Sequence, residues 1–266
     1  MIKRIFTSEW IKLGRPGTIL GWMGPVVWFA LMGTYFNFSD AAEQAGQFRG
    51  PFGIAPGPEQ LAAPDGWVIG IHSSASFIGL IALALFATNI AREYEKGTIR
   101  ILLVAEPRRL KLMAGKLLAL ASFALLICAG ATVLTMGMSL ALAPGEGVVT
   151  DAWLTGQGAL EVLKGFVNIG LATIVWGLIG GVLAILLRSA AISISIGVGF
   201  LFIFEILIGQ FAPDIGNRLP ATILGAFAAG GTPTIDYAMA MIMTAVYGIA
   251  SLGVSLAVFI RRDVTD

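Results

Sequence analysis

The sequence predicts an all-α protein that crosses a membrane several times. Only 12% of its 266 residues are charged and 57% are hydrophobic, with a mean hydropathy of +0.86. Soluble domains carry roughly 25% charged residues. Six apolar runs are long enough to cross a lipid core about 30 Å thick, which requires about 20 helical residues. The basic residues are also concentrated in alternate connecting segments.

The six apolar runs are predicted to be helices of a single transmembrane domain covering residues 1–266. Lipid offers the backbone no hydrogen-bond partners, so a helix is required unless short alternating strands close a barrel. Five runs contain no Asp, Glu, Lys or Arg, and the remaining one holds Glu205. The predicted spans are 18–36, 67–90, 117–142, 165–187, 190–211 and 238–260.

The distribution of Lys and Arg predicts the orientation of these spans. Three basic residues lie in the segments 37–66, 143–164 and 212–237. Fourteen lie in the alternate set, which comprises 1–17, 91–116, 188–189 and 261–266. Cytoplasmic loops carry an excess of Lys and Arg. We therefore expect a multi-pass protein of the cell's cytoplasmic membrane with both termini in the cytoplasm.

Residues 1–17 are predicted to form an amphipathic helix at the cytoplasmic interface rather than a cleaved signal peptide. Acidic and basic residues are spread along this segment, which a signal peptide does not show. At helical spacing one face collects Ile2, Ile5, Phe6, Trp10 and Leu13. Such a helix lies in the interface with Trp10 at headgroup level and its bases toward anionic lipid.

A second irregular segment lies between the last two predicted spans. Residues 219–235 are apolar and uncharged, but they are few and are interrupted by Pro233 and a Gly-Gly pair. We expect a partly re-entrant or interfacial helix on the outer side. Such a helix is tolerated at membrane depth only where protein buries it.

The segment 91–116 holds ten of the charged residues of the chain. Gly97 permits a bend, and Thr98 can cap a new helix. Pro107 ends that helix, because a residue before proline avoids helical angles. The pattern predicts a short helix parallel to the inner membrane surface, suited to docking a cytoplasmic partner. An ordinary positive-inside loop is the alternative, but it would not require this turn chemistry.

This segment resembles the cytosolic segment between spans two and three of type-2 ABC exporter permeases. At the level of architecture the resemblance extends to nearly the whole chain. Arg108 departs from the family pattern, since many relatives have a small polar residue there. The matching positions are Glu93, Gly97, Thr98, Leu102, Leu103, Pro107, Arg109, Gly115 and Lys116.

The resemblance implies an efflux permease subunit that pairs with a second permease half, identical or different, and with two ABC ATPase subunits. The short helix would be the coupling helix, with Glu93 a partner for either the ATPase or the N-terminal helix. The chain contains no G-x-x-x-x-G-K-[ST], so ATP and Mg²⁺ are expected on the partner and no catalytic residue or cofactor on this chain. The expected coupling residues are Glu93, Glu95, Gly97, Thr98, Arg100, Pro107, Arg108 and Arg109.

Three polar residues in the spans are candidates for a substrate path, namely His72, Asn168 and Glu205. Glu205 could gate the path, contact substrate or brace a neighbouring helix, because a carboxylate in a span is costly and needs a role. A single His excludes a multi-histidine metal site. His72 with the nearby serines lacks a nucleophile motif, which disfavours an intramembrane enzyme. Small residues such as those of Gly177–Gly181 indicate helix packing.

One other interpretation remains beside the permease. A membrane scaffold or immunity protein would bind partner proteins without transport. No nucleic-acid signature appears, so the expected surroundings are membrane lipid and protein. Apolar spans favour an amphipathic or lipid-like cargo over a highly charged one.

Overall fold

A computed structural model describes residues 2–48, 52–105 and 108–261, with the backbone alone described at residues 105, 201 and 202. These residues are all-helical, as predicted, apart from an isolated β-bridge between Phe48 and Ile54. The helices are α1 (Ile2–Leu13), α2 (Pro16–Phe38), α3 (Ala41–Gln44), α4 (Pro58–Leu61), α5 (Ile69–Ser73), α6 (Ala75–Glu95), α7 (Thr98–Ala105), α8 (Arg109–Leu142), α9 (Gly156–Leu187), α10 (Ala190–Gly199), α11 (Glu205–Phe211), α12 (Pro213–Gly216), α13 (Pro220–Ala228) and α14 (Tyr237–Arg261).

Five helices in the described part of the chain are long and apolar enough to cross a membrane. They are α2, α6, α8, α9 and α14, and they make this a multi-pass membrane protein. The predicted span 190–211 is divided into α10, a π-helical segment (Phe200–Phe204) and α11, which follow one another directly. The count of six spans therefore stays a prediction.

The predicted second span, 67–90, is interrupted near its start. It comprises a 3₁₀ turn (Gly66–Val68), α5 and α6, which are separated at Ser74. The Ser74 hydroxyl lies 2.7 Å from the Phe29 carbonyl oxygen of α2 and 2.9 Å from the Gly70 carbonyl oxygen of α5, so it binds both helices. At its other end α6 continues five residues past the predicted boundary, to Glu95.

The centre of the bundle is the contact between α6 and α9. A Cβ on Gly180 would lie 2.3 Å from the Leu83 carbonyl oxygen, so only glycine permits this approach of the two backbones. Gly177 lies against the Phe86 ring, and Gly79 of α6 lies against Trp176. The predicted packing role of the Gly177–Gly181 stretch is confirmed at Gly177 and Gly180.

Helix α1 packs along the first turns of α8, which begins at Arg109 rather than at the predicted residue 117. Ile5 lies against Gly115, where an added Cβ would be 2.9 Å from Ile5 Cγ2. The Trp10 ring meets Phe123 edge-on, with 6.1 Å between ring centroids. The predicted apolar face of α1 therefore contacts α8, with Trp10 packed against Phe123.

At the end of the bundle opposite α7, two connecting segments form a cap around Trp153. This residue is completely buried, and its indole N–H donates to the Leu61 carbonyl oxygen at 2.9 Å. Its ring stacks with Trp67 and meets Phe38 edge-on. The segments before α5 and before α9 are thus held together by a buried aromatic cluster.

The segment between α11 and α14 folds into two short helices, α12 and α13. Within α13 the side chains of Ile223, Leu224 and Phe227 are buried against the bundle. The helix ends at Ala228, and Gly230 and Gly231 then turn the chain with positive φ values. A helix is thus present within 219–235, and it ends before the Gly-Gly pair that the sequence marks as an interruption.

Candidate functional site

The predicted coupling segment contains a short helix set off by a bend. Gly97 has a φ of +65°, a left-handed conformation that glycine adopts without steric cost. Helix α7 begins at the next residue, so the predicted bend and helix are confirmed. Thr98 does not cap the helix but is its first residue, and its hydroxyl donates to the Glu93 carbonyl oxygen at 3.4 Å. Pro107 lies outside the described residues.

Helix α7 has one anchored face and one exposed face. Ile99 is buried, and Leu102 and Leu103 pack partly buried against the core. Ile101 and Val104 are 71% and 85% exposed, and they lie on the same side because they are three residues apart. Arg100 and, beyond the helix, Arg108 are also at the surface. The exposed face is therefore apolar with a basic flank.

A buried ion cluster lies beside α7 and joins three helices. Lys116 of α8 is 3% exposed at its side chain, bonds to the Glu93 carboxylate of α6 and lies 3.2 Å from Glu9 Oε2 of α1. Lys12 of α1 lies 2.7 Å from Glu9 Oε1 and 3.9 Å from Glu93 Oε1. Burial alone would raise the pKa of Glu9, but Lys116 and Lys12 hold it below its usual value. The cluster thus pairs two carboxylates with two ammonium groups.

Two further side chains near α7 bond to other helices. Glu95 Oε1 accepts a hydrogen bond from the Ala190 N–H at the start of α10, at 2.8 Å. Arg109 donates to the carbonyl oxygens of Ile260 and Phe259 at the end of α14, at 3.0 and 3.4 Å. Charges at these helix ends are favourable, since a carboxylate suits a helix N-terminus and a cation suits a C-terminus. Glu93, Glu95 and Arg109 therefore bind the chain's own helices.

A cavity of about 350 Å³ opens between α1, the end of α6 and α7. Its lining combines the carboxylates of the ion cluster with basic and apolar side chains. The residues are Glu9, Lys12, Asn89, Arg92, Glu93, Lys96, Thr98, Ile101 and Leu102. The mixture allows a partner to enter with both charged and apolar groups.

At the opposite end of the bundle, Glu205 binds the N-terminus of α13. Its two carboxylate oxygens accept from the Ala221 N–H at 3.1 and 2.9 Å, and Oε2 lies 3.4 Å from the Thr222 nitrogen. The Tyr247 hydroxyl of α14 donates to the Arg218 carbonyl oxygen just before the helix. Side chains of α11 and α14 thus hold the segment of α12 and α13 in place.

Glu205 also lines a second cavity, of about 420 Å³. Two aromatic side chains, Phe77 and Trp176, form part of its wall. The other lining residues are Ser76, Ile206, Gly209, Gly216, Asn217, Ala221 and Thr222. This volume falls in the range of small-molecule sites, roughly 300–1,000 Å³.

A family model described as a protein of unknown function, DUF2705, matches residues 62–265. This is more than half of the chain. The chain belongs to the DUF2705 family. No curated protein matches it. The matched range contains α7, Lys116, Glu205 and the Phe259 and Ile260 carbonyls that Arg109 contacts, and it begins after α1 and α2.

In this DUF2705 chain the three predicted path residues lie in separate surroundings. His72 lies against Gly165 of α9, and its Nε2 is buried without a hydrogen-bond partner among the described residues. Asn168 Oδ1 accepts from the Tyr237 hydroxyl at 2.8 Å. Glu205 binds α13, and neither His72 nor Asn168 is among the described residues that line its cavity. The sequence analysis therefore assigned to one candidate path three residues that lie in different places in the structure.

Sequence reasoning did not single out Glu9, although a signal for it is present. Glu9 is four residues after Ile5 and four before Leu13, so it lies in the middle of the apolar face of α1. A carboxylate in such a position requires a buried cation. Lys116 was noted as a matching position, but its pairing with both Glu9 and Glu93 depends on the packing of three helices.

Proposed function

We propose that this DUF2705 protein is the transmembrane permease subunit of an ATP-driven exporter, with α7 as its coupling helix. The observation that carries the proposal is the setting of α7. Its exposed face offers Ile101 and Val104 to a partner, while residues on either side of it bond to α1, α8, α10 and α14. A helix that transmits force needs a contact face and firm connections to the spans, and α7 has both.

In this proposal the partner supplies the chemistry and this chain supplies the path. Two ATPase subunits bind ATP and Mg²⁺, and their closure displaces α7. The ion cluster carries that displacement to α1, α6 and α8 together, because Lys116 bonds to Glu93 and lies 3.2 Å from Glu9. The spans then reshape a cavity between this chain and a second permease half. No residue of this chain takes part in hydrolysis.

The proposed arrangement has six spans with α7 and both termini on the cytoplasmic side. Residues 190–211 supply the additional span, since about 1.5 Å per helical residue lets this run cross the lipid core. Helix α13, buried and short, is the partly re-entrant element on the outer side. Cysteines at Gly145 and Asp214 should react with an impermeant maleimide in intact cells, whereas those at Lys3 and Val104 should not. The reverse pattern would overturn this orientation.

The test of the proposed function is association with the ATPase through α7. The chain is purified in mild detergent, and a co-purifying subunit is sought that carries G-x-x-x-x-G-K-[ST] and is lost on substitution in α7. Val104→Asp should reduce its recovery at least about tenfold, because it places a charge in an apolar contact. Leu154→Asp is the matched control, since Leu154 is also largely exposed but lies beyond the opposite end of the bundle.

Transport separates the permease from a scaffold or immunity protein. The reconstituted complex should move its cargo only with hydrolysable ATP, and Val104→Asp should abolish this while Leu154→Asp does not. A complex that binds the ATPase equally well with either variant, or that hydrolyses ATP without moving any cargo, contradicts the proposal.

A further inference from the structure

We propose that the cavity beside Glu205 binds hydrophobic organic cations. For the exporter proposed above this names the cargo class, and in that respect the inference rests on the proposed function. The binding site itself belongs to the isolated chain and can be tested without an ATPase.

The first argument is the charge balance around Glu205. The residue is 4% exposed and accepts hydrogen bonds from the first N–H groups of α13. A helix N-terminus is equivalent to roughly half a positive charge. In the part of the chain that the structure describes, Glu205 forms no ion pair with Lys or Arg. The carboxylate is therefore only partly compensated, and a cation in the cavity would balance the remainder.

The second argument is the pair of aromatic side chains that line the same cavity. Phe77 of α6 and Trp176 of α9 both line the cavity, and aromatic faces attract cations that are removed from water. Phe77 is held in place by stacking on Phe29, with 4.3 Å between centroids, and it lies 5.6 Å from the Phe52 ring. Trp176 is fixed against Gly79. The wall is thus preformed.

The third argument is the size and mixed character of the cavity. Its volume of about 420 Å³ exceeds what a metal ion requires and suits a small organic molecule. Ser76, Asn217 and Thr222 add polar groups, while Ile206 is apolar. In a ligand with a hydrophobic body and one positive charge, the charge suits Glu205 and the body suits the aromatic and apolar side chains of this lining.

The experiment compares two probes of nearly the same shape and opposite charge, tetraphenylphosphonium and tetraphenylborate. The full chain is placed in nanodiscs of uncharged lipid, and saturable binding above that of empty nanodiscs is measured by equilibrium dialysis. The wild-type chain should bind the phosphonium at least about tenfold more tightly than the borate, because the buried carboxylate attracts one probe and repels the other.

Glu205→Gln tests the role of the carboxylate, since the amide oxygen can still accept from the Ala221 N–H. It should weaken phosphonium binding at least about tenfold. Glu146→Gln is the matched control, because Glu146 also accepts a backbone N–H, that of Ala41, away from the cavity. Phe77→Leu keeps the carboxylate and removes one aromatic face, and it should weaken binding about 3- to 10-fold.

Several outcomes would overturn the inference. If the wild-type chain binds tetraphenylborate as tightly as tetraphenylphosphonium, or binds neither probe saturably, no cation site exists. Equal phosphonium binding by Glu205→Gln and Glu146→Gln would also exclude it. Failure of Glu205→Gln to fold does not remove the test, which the two probes on the wild-type chain and Phe77→Leu still decide. A negative result leaves ATPase association through α7 unaffected, so the two proposals fail separately.

Discussion

Lys116 of α8 forms a buried ion pair with Glu93 of α6 and a second one with Glu9 of α1. The Lys116 side chain is 3% exposed, so its ammonium has exchanged water for two carboxylates. Losing one member of a buried ion pair typically costs about 3–5 kcal/mol, because the other charge stays buried without a partner. Docking of the N-terminal helix therefore depends on Lys116.

Lys116→Met is predicted to lower the free energy of unfolding by about 3 kcal/mol. It should also increase hydrogen exchange in α1, and both effects are measured in detergent by thermal unfolding and by exchange mass spectrometry. Adding Glu9→Gln and Glu93→Gln to Lys116→Met should recover most of the loss, because no uncompensated carboxylate is then left.

The control for this prediction is Lys164→Met. Lys164 pairs with Glu161 at 2.8 Å, but its side chain is 55% exposed. An exposed pair contributes about 0–1 kcal/mol, so this variant should unfold almost as the wild type does. Equal destabilisation by the two Lys→Met variants would contradict the role assigned to the cluster.

The contribution of Glu9 is predicted to disappear on acidification. Lys116 and Lys12 outweigh the effect of burial and hold the pKa of Glu9 below its usual value of 4.5. A carboxyl group with a lowered pKa in the folded state stabilises fully above its unfolded pKa, and this is lost as pH falls through the folded pKa. Glu9→Gln should therefore unfold more easily than the wild type at pH 6–8. The difference in stability between Glu9→Gln and the wild type should shrink below about pH 4.5. A difference that grows in that range would refute the prediction.

The sequence predicts five of the six expected spans well because apolar length is a local property. The bend at Gly97 was predictable for a similar reason, since a glycine between a charged helix end and an apolar stretch signals a turn. The hydrogen-bond partners of Glu205 were not predictable from the sequence. They lie sixteen and seventeen residues away, in a helix whose position depends on α9 and α14. The break at Ser74 was also missed, and the bond from its hydroxyl to a carbonyl of α2 depends on how the two helices pack.

The contact between α6 and α9 is predicted to exclude any side chain at Gly180. The neighbour there is the Leu83 carbonyl oxygen, at 2.3 Å from the added Cβ, and backbone atoms cannot turn aside as a flexible side chain can. Gly180→Ala should therefore destabilise the protein by about 1–3 kcal/mol, the usual cost of overpacking, as measured by thermal unfolding.

Gly137→Ala is the control for the same substitution in a helix. A Cβ at Gly137 in α8 would meet nothing within 4 Å. It should be neutral or stabilise by about 0.4–1 kcal/mol, because alanine restricts the unfolded chain more than glycine does. If Gly180→Ala were equally harmless, α6 and α9 would not approach as closely as described.

If α7 is the coupling helix proposed above, substitutions at Gly97 should affect coupling more than folding. A Cβ at Gly97 would meet nothing within 4 Å, so the φ of +65°, and not steric contact with neighbours, disfavours a side chain there. A left-handed conformation costs a non-glycine residue about 1–2 kcal/mol, whereas asparagine adopts it comparatively readily. Gly97→Val should insert in the membrane normally but shift α7, and it should lower ATP hydrolysis by the reconstituted complex about fivefold or more. Gly97→Asn, the matched variant, should retain most activity. Equal activity of both variants would show that the bend does not control coupling.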